Sequence, residues 1–124
     1  MKQEEFSVRA RLKSFRFAWQ GMKSFLLGEH NARLHLVATA GVILVAILFP
    51  VTQTEWLALV FAMGFVWVAE MLNTCIERIM DFVSDQQHPE IKFIKDLAAG
   101  AVLVAAITAV IVAAIVFIPK LIGS

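Results

Sequence analysis

Polar residues in this 124-residue chain gather into clusters separated by three long apolar runs, over about 34–50, 56–80 and 97–118. The last of these carries no charged residue at any position and is long enough to cross a hydrocarbon layer of about 30 Å as a helix. The second opens on Trp56, a residue suited to the membrane–water boundary, and stays apolar to about Ala69 before polar groups enter it. The first is short for a span but workable as part of a continuous helix. Ahead of it, residues 4–28 mix Arg9, Lys13, Arg16 and Lys23 with Phe6, Leu12, Phe15, Phe17, Trp19, Met22, Phe25 and Leu26. That mixture predicts an amphipathic helix lying in the headgroup layer. A basic nucleic-acid arm is the alternative, and three spans following directly argue against it, so no nucleic-acid partner is expected.

Between the runs, Gly28 interrupts the amphipathic segment, residues 29–33 make a polar patch, and residues 50–55 form a polar turn without Lys or Arg. Residues 85–90 read as a loop broken by Pro89, which also restricts His88. A short amphipathic turn over 90–95 leads into the third span, and Pro119 with Lys120 ends it. The predicted architecture is an all-α membrane protein forming one domain over 1–124, with an interfacial helix and three transmembrane helices.

Composition agrees with this and adds orientation. With 60% hydrophobic residues and a mean hydropathy of +0.77, a soluble domain of this length is excluded. The formal net charge of +1 conceals an asymmetry, because seven of the eleven Lys and Arg precede the first apolar run. Together with Arg78, Lys92 and Lys95 they place the N-terminal segment and the second connection on the cytoplasmic side of the membrane. Cys75 is the single cysteine, so no internal disulfide can form. The opening lacks the continuous apolar stretch of a cleaved signal peptide and is expected to be retained.

The costly part of the chain is the end of the second span. Taking Glu70 as zero and turning about 100° per residue, Asn73 falls near about −60°, Glu77 near about −20° and Asp81 near about +20°. Four polar groups therefore share one stripe of an otherwise apolar helix. A carboxylate in such a place needs a partner and points to function, and three on one stripe repel one another unless donors or cations meet them. Helix–helix adhesion is the simpler reading, which Asn73 alone could provide.

Carboxylates converging at an interface beside Lys92 and Lys95 suit Mg²⁺, which takes one or two carboxylates and completes its shell with substrate phosphates. A lysine beside them would meet the same phosphates. A deeper, desolvated carboxylate could take a proton from a hydroxyl presented by a lipid. Phosphoryl transfer to a lipid alcohol would combine these parts. Neither the Gly-x-x-x-x-Gly-Lys loop nor Gly-x-Gly-x-x-Gly is present.

The segments that carry a family resemblance are Glu29, the run Ala-Glu-Met-Leu-Asn-Thr-Cys-Ile-Glu over 69–77 with Asp81 after it, and His88 with Lys-Asp-Leu-Ala-Ala-Gly-Ala-Val over 95–102. Across nearly its whole length the chain resembles the small bacterial integral-membrane diacylglycerol kinases, a family that includes undecaprenol kinases. The resemblance implies a homotrimer using ATP and Mg²⁺, with its sites between subunits at the cytoplasmic face. It implies Glu70 as general base, Asn73 as a residue that orients the site, and Glu29 and Glu77 as ligands of the metal bound with ATP. Phe17, Gln86, Gln87, His88, Lys95 and Asp96 correspond to nucleotide-contacting positions, and Trp19, Lys23 and Arg33 to positions that meet the lipid, as Glu70 also does. Ala10, Phe17, Gln86 and Gln87 depart from residues common in the family. Gln-His-Pro over 87–89, the Lys-Asp run and Phe-Ile-Pro-Lys-Leu over 117–121 favour undecaprenol over diacylglycerol as acceptor.

Plainer readings stand beside these. Glu29 and Arg33 are spaced as a surface ion pair, His30 and His35 read as interfacial polar residues without a role, and Ala98 to Ala101 as close helix packing. Asp81 reads as a structural partner of Arg78 or Lys92. A small proton-coupled transporter is the rival function, and a scaffold subunit without chemistry the third.

Overall fold

The computed structural model describes residues 6–123, which form four α-helices and, among the described residues, no strand. They are α1 (Val8–Gly28), α2 (His30–Leu48), α3 (Gln53–Val83) and α4 (Pro89–Leu121). The last three are each long and apolar enough to cross a membrane. The chain falls into two compact units, Met1–Leu34 and His35–Ser124, with the boundary inside α2.

In the first unit the amphipathic helix starts at Val8, later than the expected 4–28, because the Ser7 side chain accepts the Ala10 amide at 3.3 Å and caps the helix there. Phe6 and Ser7 precede it, and residues 4 and 5 lie outside the described residues. Glu29 takes an extended conformation (φ −116°, ψ 126°) and returns its amide to the Phe25 carbonyl at 3.0 Å, which separates α1 from α2. The helix resumes at once, so α2 begins at His30 and ends at Leu48, where 34–50 was expected.

In the second unit, α3 begins at Gln53 rather than at 56. Thr52 and Glu55 form a reciprocal capping box, the Thr52 Oγ1 accepting the Glu55 amide at 3.2 Å and Glu55 accepting the Thr52 amide at 3.0 Å. At 31 residues α3 is about 46 Å long, well beyond the hydrocarbon thickness, and its last turns carry Glu77 and Asp81. A short connection over 84–88 leads to α4, whose first residue is Pro89, the helical position that needs no amide donor. The amphipathic turn expected over 90–95 runs without a break into the third span as the start of α4. At the other end Pro119 lies inside the helix, which runs on to Leu121 instead of stopping at 118; so near the terminus a missing donor costs little.

The core of this unit lies where the 50–52 turn brings α2, α3 and α4 together. Ala46, Leu59 and Val116 are buried there against Val42, Trp56, Met63 and Phe117, and Phe49 meets Phe117 edge-on at 6.4 Å. The Lys120 Nζ donates to both Glu55 oxygens, at 2.9 and 2.8 Å, tying the end of α4 to the start of α3. Elsewhere large apolar side chains such as Phe61, Phe65 and Ile115 stay exposed, as lipid-facing helices require. The expected close packing over 98–101 is only partly present: Ala98 is buried, but a Cβ placed on Gly100 would meet nothing within 4 Å.

Candidate active site

The stripe at the end of α3 divides by depth. Glu70 is 3% exposed and Asn73 6%, whereas Glu77 is half-buried and Asp81 exposed. Glu70 meets the Nε2 of His35, on α2, at 3.3 Å. Asn73 donates from Nδ2 to the Glu77 carboxylate at 3.1 Å, so the two residues one turn apart act as a pair. The Asn73 Oδ1 is buried and has no hydrogen-bond partner among the described residues, which leaves an unsatisfied acceptor beside Glu77.

His35 was expected to have no role, and the structure gives it one as the partner of Glu70. The available signal was the cost of the carboxylate itself: a buried Glu requires a donor, and a histidine in the preceding span is one. Beside this contact the Trp67 Nε1 donates to the Thr39 Oγ1 at 2.9 Å, and the His35 and Trp67 rings lie 6.3 Å apart at 60°. From His35 a groove of about 290 Å³ runs along the three helices, lined by Thr39, Val42, Met63, Val66 and Ala106 among others.

A second, polar cleft of about 620 Å³ lies at the α3–α4 connection. It is lined by Gln86, Gln87, His88, Lys95 and Asp96, all five of which the family resemblance implied as nucleotide contacts, together with Asp81 and Lys92. Its size is in the range of small-molecule sites. Asp81 pairs with Lys95 across the connection, and Lys92 pairs with Asp96 one turn along α4. Asp81 was expected to pair with Arg78 or Lys92; its cationic partner here is Lys95, and Lys92 pairs with Asp96 on its own helix. His88 has a structural duty as well, since its Nδ1 accepts the Glu90 amide at 3.1 Å and caps α4. With Nδ1 an acceptor, Nε2 carries the hydrogen and can donate to a phosphate.

The remaining expected positions, Phe17, Trp19, Lys23, Glu29 and Arg33, belong to the first unit. Phe17 lines a basic hollow of about 500 Å³ with Arg9, Arg11 and Lys13. Trp19 and Lys23 are exposed on α1, and the Arg33 Nη2 meets the His30 Nδ1 at 3.2 Å. Among the described residues no three His, Cys, Asp or Glu side chains lie close enough to hold a metal by themselves.

Comparison with known proteins places this geometry in context. Residues 16–117 match the model of the prokaryotic diacylglycerol kinase family. The chain is 36% identical to the undecaprenol kinase of Bacillus subtilis (strain 168) over 109 residues, covering 88% of this chain and 89% of that protein. It is 38% identical to a diacylglycerol kinase of Synechocystis over 113 residues, covering 90% of this chain and 65% of that protein. To a diacylglycerol kinase of Escherichia coli (strain K12) it is 28% identical over 100 residues, 81% of this chain and 82% of that protein. The chain belongs to the prokaryotic diacylglycerol kinase family. It is therefore a multi-pass membrane protein and a lipid phosphotransferase, and membership implies ATP as phosphoryl donor. The transporter and scaffold alternatives give way to that assignment.

Proposed function

We propose that this protein transfers the γ-phosphoryl group of ATP, bound with Mg²⁺, to the hydroxyl of a membrane lipid alcohol at the cytoplasmic face of the bacterial inner membrane. The observation that carries the proposal is Glu70, a carboxylate buried at the end of an apolar span beside a groove suited to a lipid chain and about three turns from a polar cleft.

In this reading the lipid hydroxyl approaches Glu70 from the apolar side, and Glu70 accepts its proton as the oxygen attacks the γ-phosphorus and the bond from that phosphorus to the β,γ-bridging oxygen breaks, releasing ADP. The orphaned Asn73 Oδ1 orients the acceptor group, and Asn73 also holds Glu77 in place. Lys95 and His88 meet the phosphates, while Gln86, Gln87, Asp96 and, from α1, Phe17 contact the rest of the nucleotide. Trp19, Lys23 and Arg33 face the lipid and its headgroup.

The residues fit a metal held mainly by phosphates. The described residues offer no closed cage, and Glu77 presents one half-buried carboxylate already bonded to Asn73. Glu77 and Glu29 would hold Mg²⁺, which when bound with ATP offsets the charge of the phosphates. A homotrimer is proposed too, since three spans bury few side chains among themselves and leave wide apolar faces. Undecaprenol is the favoured acceptor over diacylglycerol, on the Gln-His-Pro segment over 87–89 and the Phe-Ile-Pro-Lys-Leu ending over 117–121.

Purified protein in mixed micelles with γ-labelled ATP tests the proposal, with undecaprenol and diacylglycerol assayed side by side. Labelled lipid phosphate is expected with both and a higher kcat/KM with undecaprenol. A reversed ratio would reassign the acceptor.

A further inference from the structure

We propose that His35 is a positioning residue for phosphoryl transfer, holding one oxygen of Glu70 so that the other is presented to the lipid hydroxyl. The inference rests on the reading of Glu70 as general base.

Glu70 needs a hydrogen-bond donor, because an unpartnered carboxylate in an apolar helix is expensive. Its own helix does not supply one: the only amide on the stripe, Asn73, gives its Nδ2 to Glu77. A group able to donate lies on α2, where the His35 Nε2 is at ion-pair distance, 3.3 Å, from the Glu70 Oε2. Facing a carboxylate oxygen, Nε2 must be the nitrogen that carries hydrogen. A donation from Nε2 would engage Oε2 and leave Oε1 for the alcohol.

The imidazole is itself held. Thr39 lies one turn beyond His35 on α2, and Trp67 just under one turn before Glu70 on α3, so both pairs project from common helix faces. The Trp67 Nε1 donates to Thr39 at 2.9 Å beside the His35–Glu70 contact. Two polar links at successive turns therefore join α2 to α3 and fix how the carboxylate is rotated. The apolar groove opening at His35 lets a lipid approach that side, with few polar groups to compete for the histidine. A base displaced by about 1 Å can lose about 100-fold in rate.

The test uses the full chain in mixed micelles, with His35→Leu, His35→Gln, Glu70→Gln and the two double variants. His35→Leu should lower kcat about 100-fold while leaving KM for ATP within about twofold. His35→Gln keeps a side-chain donor and should recover to within about tenfold of wild type. In the Glu70→Gln background, His35→Leu should cause little further loss, since the group it positions is already disabled. Wild-type kcat in His35→Leu overturns the proposal, as does a loss in the Glu70→Gln background as large as in wild type. If His35→Leu does not fold, His35→Gln and His35→Asn carry the comparison, and equal inactivity of both in folded protein also overturns it. Absence of transfer by the wild-type protein would defeat the kinase reading separately. The pairing would then be read from the imidazole ¹⁵N resonances, where Glu70→Gln should shift the His35 Nε2 signal. An unchanged signal refutes the contact.

Discussion

Replacing Glu70 with Gln separates chemistry from binding more cleanly than any other change in this protein. The amide is nearly isosteric, and its oxygen can still accept a hydrogen bond from the His35 Nε2, now 3.3 Å from the Glu70 Oε2. It cannot accept the proton of an attacking hydroxyl. A general base contributes about 10²- to 10⁴-fold, which corresponds to about 3–5 kcal/mol of barrier. Asp81, at the near edge of the polar cleft, lies eleven residues further along α3, or about 16 Å of helix rise. KM for ATP should accordingly stay within about twofold. Stability should hold or rise, because an amide at a site only 3% exposed avoids the desolvation cost of a buried carboxylate. Steady-state transfer from γ-labelled ATP, varied in ATP and in lipid, would be measured beside nucleotide binding and thermal unfolding in the same micelles. A variant with wild-type kcat would refute the assignment. So would one in which kcat survives and KM for ATP rises, since Glu70 would then serve the nucleotide.

Three further outcomes follow from the same geometry. Lys95→Met removes the cleft lysine held by Asp81 and should raise KM for ATP about 10- to 100-fold, the scale of a lost charge-assisted hydrogen bond, with a smaller effect on KM for lipid. Lys120→Met leaves Glu55 without its partner at the opposite end of the helices and should lower Tm, with kcat per folded protein unchanged; the double change with Glu55→Gln should regain part of the loss in the same melting experiment. Chelation by excess EDTA should reduce transfer below detection and added Mg²⁺ should restore it, whereas activity that persists in EDTA would remove Glu29 and Glu77 as metal ligands.

The arrangement of spans was legible in the sequence because membrane helices are defined by length and the absence of charge, which α4 shows most plainly. Its edges were less so. Thr52 and Glu55 extend α3 outward through a capping box whose spacing was visible but was read as a turn. Pro119 signals a stop in the sequence, but a proline this close to a helix end removes a bond of little consequence. The stripe of Glu70, Asn73 and Glu77 was legible from helical angles alone. What meets each residue was not, since partners such as His35 for Glu70 and Lys95 for Asp81 come from other helices. Helical spacing places groups along one helix and says nothing of which neighbour turns towards them. Only the family resemblance marks the nucleotide-cleft residues; the structure gathers Gln86 to His88 with Lys95 and Asp96 because a five-residue connection joins the two helices.

Transfer of label from γ-labelled ATP to lipid is the most direct measurement of the central claim. Folded wild-type protein in micelles with Mg²⁺ and undecaprenol should form labelled lipid phosphate in step with ADP, and Glu70→Gln should reduce both together. Folded protein that forms no lipid phosphate from either undecaprenol or diacylglycerol would contradict the account.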